Sequence, residues 1–103
     1  MKAIYIAGYF QSPFGKLMTM TQEQMLAAAT AGVCAEARTD TSTIDSASIA
    51  SACSFSLHQQ GLLSGLVAGV PGMEAKPIES VENACASGGQ AILNCITRLP
   101  DSI

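Results

Sequence analysis

The sequence predicts an α/β fold with a mainly parallel sheet. Strand-like and helix-like runs alternate along all 103 residues. The helical runs carry apolar residues at helical spacing, and Pro, Gly and polar clusters separate one run from the next.

Lys2 to Phe10 is rich in Ile and Tyr and reads as a buried first strand. Gln11 to Lys16 is a Pro/Gly loop. Thr21-Gln22-Glu23-Gln24 then has the pattern of a capping box, with Glu23 where the helix dipole favours an acid. Leu26, Ala29, Val33 and Ala37 fall on one face of the helix that follows, which is expected to end near Arg38. Thr39 to Thr43 is a polar cluster, and Ile44-Asp45-Ser46 reads as a short turn.

Ala47 to Phe55 is a second strand, weakened by its Ser and Ala content. Gln59 to Ala68 reads as a second helix through Leu62, Leu63, Leu66 and Val67. Gly61, Gly65 and Gly69 recur along it and would let a neighbouring backbone come close. Val70-Pro71-Gly72 stops it. Pro77 to Asn83 is the third strand. Ala86 to Leu99 is the last helix, with Ile92, Cys95, Ile96 and Leu99 on one side and Pro100 at its end. Asp101-Ser102-Ile103 reads as the lead into a fourth strand.

Apolar residues make up 49% of the chain and charged residues 13%, against about 25% in an ordinary soluble domain. So few charges on a short chain leave apolar surface for other protein to cover. More protein is therefore expected to pack against it: a continuation of the chain, a second subunit (another copy or a partner supplying the missing part), or both. The net charge is −3, and the basic residues Lys2, Lys16, Arg38, Lys76 and Arg98 are scattered. That argues against nucleic-acid binding. Gly61 to Val70 is too short for a membrane span, which needs about 18 apolar residues or more. The opening run lacks the pattern of a signal peptide. The expected location is cytoplasmic.

Cys34, Cys53, Cys85 and Cys95 form no Cys-x-x-Cys pair, and His58 stands at ligand spacing from none of them. Neither a metal site nor a disulfide framework is expected. Cys34 and Cys95 read as core, and Met18, Met20 and Met25 as flexible core or interface filler rather than the lining of an acyl pocket. Cys85 is the candidate nucleophile. It is expected at the first turn of the last helix, where the third strand gives way to it, and a helix start favours thiolate over thiol. Ala86, Ser87, Gly88 and Gly89 follow it and leave room for a substrate. Close packing of the helix start is the main role expected of Ser87 and the two glycines. Lys16 is followed by Leu17, so Gly15-Lys16 is not a P-loop.

Two segments carry a family resemblance. Ile4-Tyr5-Ile6-Ala7-Gly8-Tyr9 with Ser12-Pro13-Phe14-Gly15-Lys16 resembles the first strand and Thr-Pro-Phe-Gly-Lys loop of the thiolases, with Ser for Thr. Val81-Glu82-Asn83-Ala84-Cys85-Ala86-Ser87-Gly88 resembles their nucleophile motif, in a form closest to the sterol-carrier-protein-type and archaeal members. The likeness runs from about Ile4 to Ile96. It implies that residues 1–103 are an N-terminal part of a thiolase-like layered fold. It also implies an acyltransferase that takes coenzyme A thioesters as substrates, with no separate cofactor, and a homo-oligomer. In that family the cysteine matching Cys85 holds the acyl group during Claisen condensation or thiolytic cleavage.

The family's Gly-His-Pro turn, Cys-x-Gly turn and Asn-Glu-Ala motif have no counterpart here, and His58 matches none of them. The chain is therefore expected to be a fragment, or one piece of a divided enzyme, and inactive alone. The alternatives are a ketoacyl-synthase-like condensing enzyme and a non-catalytic structural or partner-binding subunit.

Overall fold

The computed structural model describes residues 3–99, with α4 the last regular element. Met1, Lys2, Pro100 and the expected fourth-strand lead at 101–103 lie outside the described residues.

Helix α1 spans Gln22–Glu36. Its capping box is formed from both sides. The Gln24 N–H donates to Thr21 Oγ1 at 3.1 Å, and the Thr21 N–H donates to Gln24 Oε1 at 2.8 Å. The buried residue of α1 is Cys34, while Ala29 is exposed, which departs from the expected face. The helix is built mostly of small residues, and in so weak a pattern the residues it packs against decide the buried side. A 3₁₀ turn at Thr41–Thr43 follows, capped when Asp40 Oδ1 accepts the Ser42 N–H at 2.9 Å.

Strand β1 is Ala47–Ala50 and strand β2 is Ile78–Val81. They pair in parallel, with Ala47 opposite Ile78 and Ala50 opposite Val81. Among the described residues this is the whole sheet, so the architecture is α/β with two parallel strands rather than the three expected. Between the strands lie α2, Ser54–His58, and α3, Leu63–Ala68. After β2 comes α4, Ser87–Arg98.

Strand alternation sends the two faces of this sheet to different helices. Ala47, Ile49 and Ile78 join Val67, Val70 and Met73 in the core beside α3. Ser48 and Glu79 point the other way, toward α4. Helix α1 packs on α3 and sends Leu26 to the same core.

Three expectations are corrected here. Residues 3–10 form no strand and are largely exposed, with Tyr5 83% and Ile6 92% accessible. A strand needs an edge to bond and a face to bury; this segment lies beside Ser48 and α4 without joining the ladder. The second strand stops at Ala50, and Ser54–His58 is helical instead. Only Ile49 in β1 is β-branched, so little favours a longer strand. The following helix starts at Leu63 rather than Gln59, because Gln59 is left-handed at φ 56° and ends α2.

The glycine row also behaves differently from its expected role. Gly61 precedes α3, and a side chain at Gly65 would meet only Leu62 of the same segment. A close backbone approach occurs instead at Gly8, where an added Cβ would stand 2.9 Å from the Val33 carbonyl of α1. Met18 is 83% exposed and fills no core.

Candidate functional site at the end of β2

The parallel strands end side by side, and the Ser51 N–H still reaches the Val81 carbonyl at 3.4 Å. The chain leaves the sheet there in two places. One exit leads through Cys53 to α2; the other leads through Cys85 to α4. Both thiols are free and exposed. In open α/β sheets the ground outside the carboxyl ends of the strands is where ligands bind.

Cys85 stands two residues before the first helical residue, Ser87, and not in the first turn of the helix as expected. The intervening backbone is a tight turn. The Ala86 N–H donates to the Asn83 carbonyl at 2.9 Å, and the Ser87 N–H to the Ala84 carbonyl at 3.2 Å. Ala84 is left-handed, at φ 48°. Such a conformation costs a residue with a Cβ about 1–2 kcal/mol, so the surroundings must hold it.

Two side chains do so. Ser87 is 6% exposed. Its Oγ accepts the Asn83 N–H at 2.8 Å and donates to the Ala84 carbonyl at 2.7 Å. Glu82 Oε2 accepts the Ala84 N–H at 2.5 Å, which sets a carboxylate beside the turn. Past the turn the ground is open. Added Cβ atoms at Gly88 and Gly89 would meet nothing within 4 Å, and no side chain caps α4.

The apolar cavities lie elsewhere. One of about 490 Å³ separates α1 from Val70 and Pro71 and is lined by Cys34 and Asp40 among others. Another, of about 480 Å³, lies between residues 4–6 and Ile92, Cys95 and Ile96 of α4, with Leu99 just past the helix end. All four line this one cavity, but Ile92 is 64% and Leu99 46% exposed. Cys85 borders neither of these cavities. Cys34 is buried, as expected, and Cys95 is half-buried.

Phe14, in the loop that resembles the family's opening, is 94% exposed. His58 ends α2. Among the described residues no cluster of His, Cys, Asp and Glu could hold a metal ion, and no helix is long and apolar enough to cross a membrane.

Sequence reading missed Cys53. The signal was present: each parallel strand is followed within four residues by a cysteine. Reading Ala47 to Phe55 as one strand hid it.

Known family models yield no match to this chain, and neither do curated proteins.

Proposed function

We propose that this chain is the nucleophile-bearing part of a thiolase-like acyltransferase, in which Cys85 accepts an acyl group from a coenzyme A thioester. The observation that carries this reading is the exposed Cys85 thiol on a left-handed strand-to-helix turn, with uncapped N–H groups and unobstructed glycines beyond it. The motif around Cys85 and the opening loop support it as a resemblance.

The chemistry is acyl exchange. The Cys85 thiol gives its proton to solvent and the sulfur attacks the thioester carbonyl. A carbon–sulfur bond forms to Cys85, and the bond to coenzyme A breaks. The departing coenzyme A thiolate takes up a proton. N–H groups at the start of α4 are suited to stabilising the tetrahedral oxyanion. The base that activates the thiol and the group that moves the substrate α-proton would come from other protein, and an oligomer or partner chain fits the exposed apolar side chains.

Incubation with acetyl-CoA, followed by peptide mass spectrometry, tests the reading. A slow, single acetylation of Cys85, absent from Cys85→Ala and not transferred to Cys53, is the expected result, with no turnover by this chain alone. Equal labelling of the two exposed thiols would remove the case for a nucleophile. A second reading, a non-catalytic subunit that docks on a partner, is favoured by the exposure of Tyr5, Ile6, Ile92 and Leu93. It predicts no selectivity between Cys85 and Cys53.

A further inference from the structure

We infer that Ser87 is a positioning residue of the Cys85 turn: its hydroxyl, alongside the Glu82 carboxylate and rather than the packing of α4, keeps Ala84 left-handed and so fixes where the sulfur stands. This rests on the reading of Cys85 as nucleophile, but its physical core does not. The Ser87 side chain turns back across the chain and spans the residue before Cys85 on both sides. It accepts from the Asn83 N–H at 2.8 Å and donates to the Ala84 carbonyl at 2.7 Å. Ser87 itself is 6% exposed, so its hydroxyl is held in place against Asn83 and Ala84, which are exposed. The hydroxyl thus holds the left-handed turn, at φ 48°, through two hydrogen bonds at once. Without the hydroxyl, Ala84 would relax toward negative φ and Cys85 would swing with it.

Ser87 touches no substrate in this account. It acts through Cys85, and displacement of a nucleophile by even about 1 Å can cost a hundredfold in a reaction that needs an aligned approach. Alkylation of an exposed thiol by a small reagent makes no such demand. The two reactions therefore separate position from exposure.

Hydrogen exchange on the full chain gives the first test. In the unaltered protein the Asn83 amide should exchange at least tenfold more slowly than in an unstructured peptide; exchange at the peptide rate would overturn the inference whatever any variant does. In Ser87→Ala the Asn83 protection should vanish while amides in the middle of α4 (93–96) keep theirs, and Ser87→Thr should restore it. Equal loss along α4 would make Ser87 a packing residue and end the proposal. The second test uses acetyl-CoA and iodoacetamide. Ser87→Ala should lower acetylation of Cys85 at least tenfold and leave its alkylation within about twofold. Parallel changes in both reactions would overturn the positioning role. If the unaltered chain takes no acetyl group at all, the acyltransferase reading fails, and the Asn83 exchange still decides the role of Ser87.

Discussion

Arg98 Nη2 lies 2.6 Å from Glu79 Oε2, so the last turn of α4 is tied to the middle of β2. Ser48 Oγ donates to the other oxygen of the same carboxylate at 2.7 Å, which brings in β1 as well. One side chain thus joins both strands to the helix that follows Cys85. The Ser48 hydrogen bond is the main reason the Glu79 carboxyl is held below its ordinary value; the Asn94 bond and the Arg98 charge add to it. Asp40 is lowered too, chiefly by the Ser42 hydroxyl and then by the Ser42 N–H.

A lowered folded-state value means that the unfolded chain binds protons more readily than the folded one. The stabilisation from Glu79 is present above the unfolded carboxylate value near 4.5 and is lost as pH falls through the lower folded value. Urea midpoints measured from pH 7 downward should fall in that acid window. Glu79→Gln should lower the midpoint at neutral pH and flatten the acid decline. If the variant shows the same acid decline as the parent, Glu79 is not one of the groups responsible.

Gly72 is held at φ 89°, and an added Cβ there would overlap the Thr41 side chain of the 3₁₀ turn. Both effects oppose a side chain, so Gly72→Ala should destabilise by about 1–3 kcal/mol. Gly15 is the control. It too has a positive φ, 138°, but nothing stands within 4 Å and its loop is exposed, so the backbone can relax. Denaturation of the two variants side by side should place Gly72→Ala clearly below Gly15→Ala. The reverse order would mean that the contact with Thr41 does not constrain the fold.

Met73 is the most deeply buried core side chain, 2% exposed, and it closes the cluster formed by Val67 and Val70. Truncation to Ala should cost about 2–5 kcal/mol, a large part of the roughly 5–15 kcal/mol available to a small domain. The urea midpoint should drop while the slope stays the same. Met18→Ala, at a position 83% exposed, should change the midpoint little. Similar effects from the two would show that the core does not lie where Val67, Val70 and Met73 meet.

What could be read from the sequence was what short-range chemistry determines. Thr21 and Gln24 lie three residues apart and satisfy each other's backbone, so their box was legible as a pattern. The junction at Cys85 was legible because a β-rich run meets a helix-period run there. Residues 3–10 were misread because Ile and Tyr report a readiness to pair; the segment lies beside Ser48 and α4 but joins neither edge of the two-stranded sheet, and stays exposed. The helix at Ser54–His58 was hidden because a left-handed Gln59 ends it, and nothing in a glutamine announces that conformation. The link from Ser87 back to Asn83 was also invisible, since a serine after a cysteine reads equally well as a small residue at a helix start.

Glu82 offers a test of the charge at the Cys85 turn. Its carboxylate accepts the N–H of Ala84, the residue before Cys85, so it should repel an anionic reagent that comes to the sulfur. Iodoacetate is negative and iodoacetamide neutral, and both alkylate the same sulfur. A change in the thiol's own ionisation affects both rates alike and cancels in their ratio. Removing one nearby charge in water should therefore raise the iodoacetate-to-iodoacetamide ratio at Cys85 by about two- to threefold. Glu82→Gln keeps an oxygen to accept the Ala84 N–H, so the turn should persist. The gain should shrink as salt is raised past about 0.1 M, where the screening length is about 10 Å. Cys53, at the other exit from the sheet, supplies the reference ratio in the same digest. If Glu82→Gln moves the ratio equally at Cys53 and Cys85, the carboxylate is not placed at the approach to Cys85.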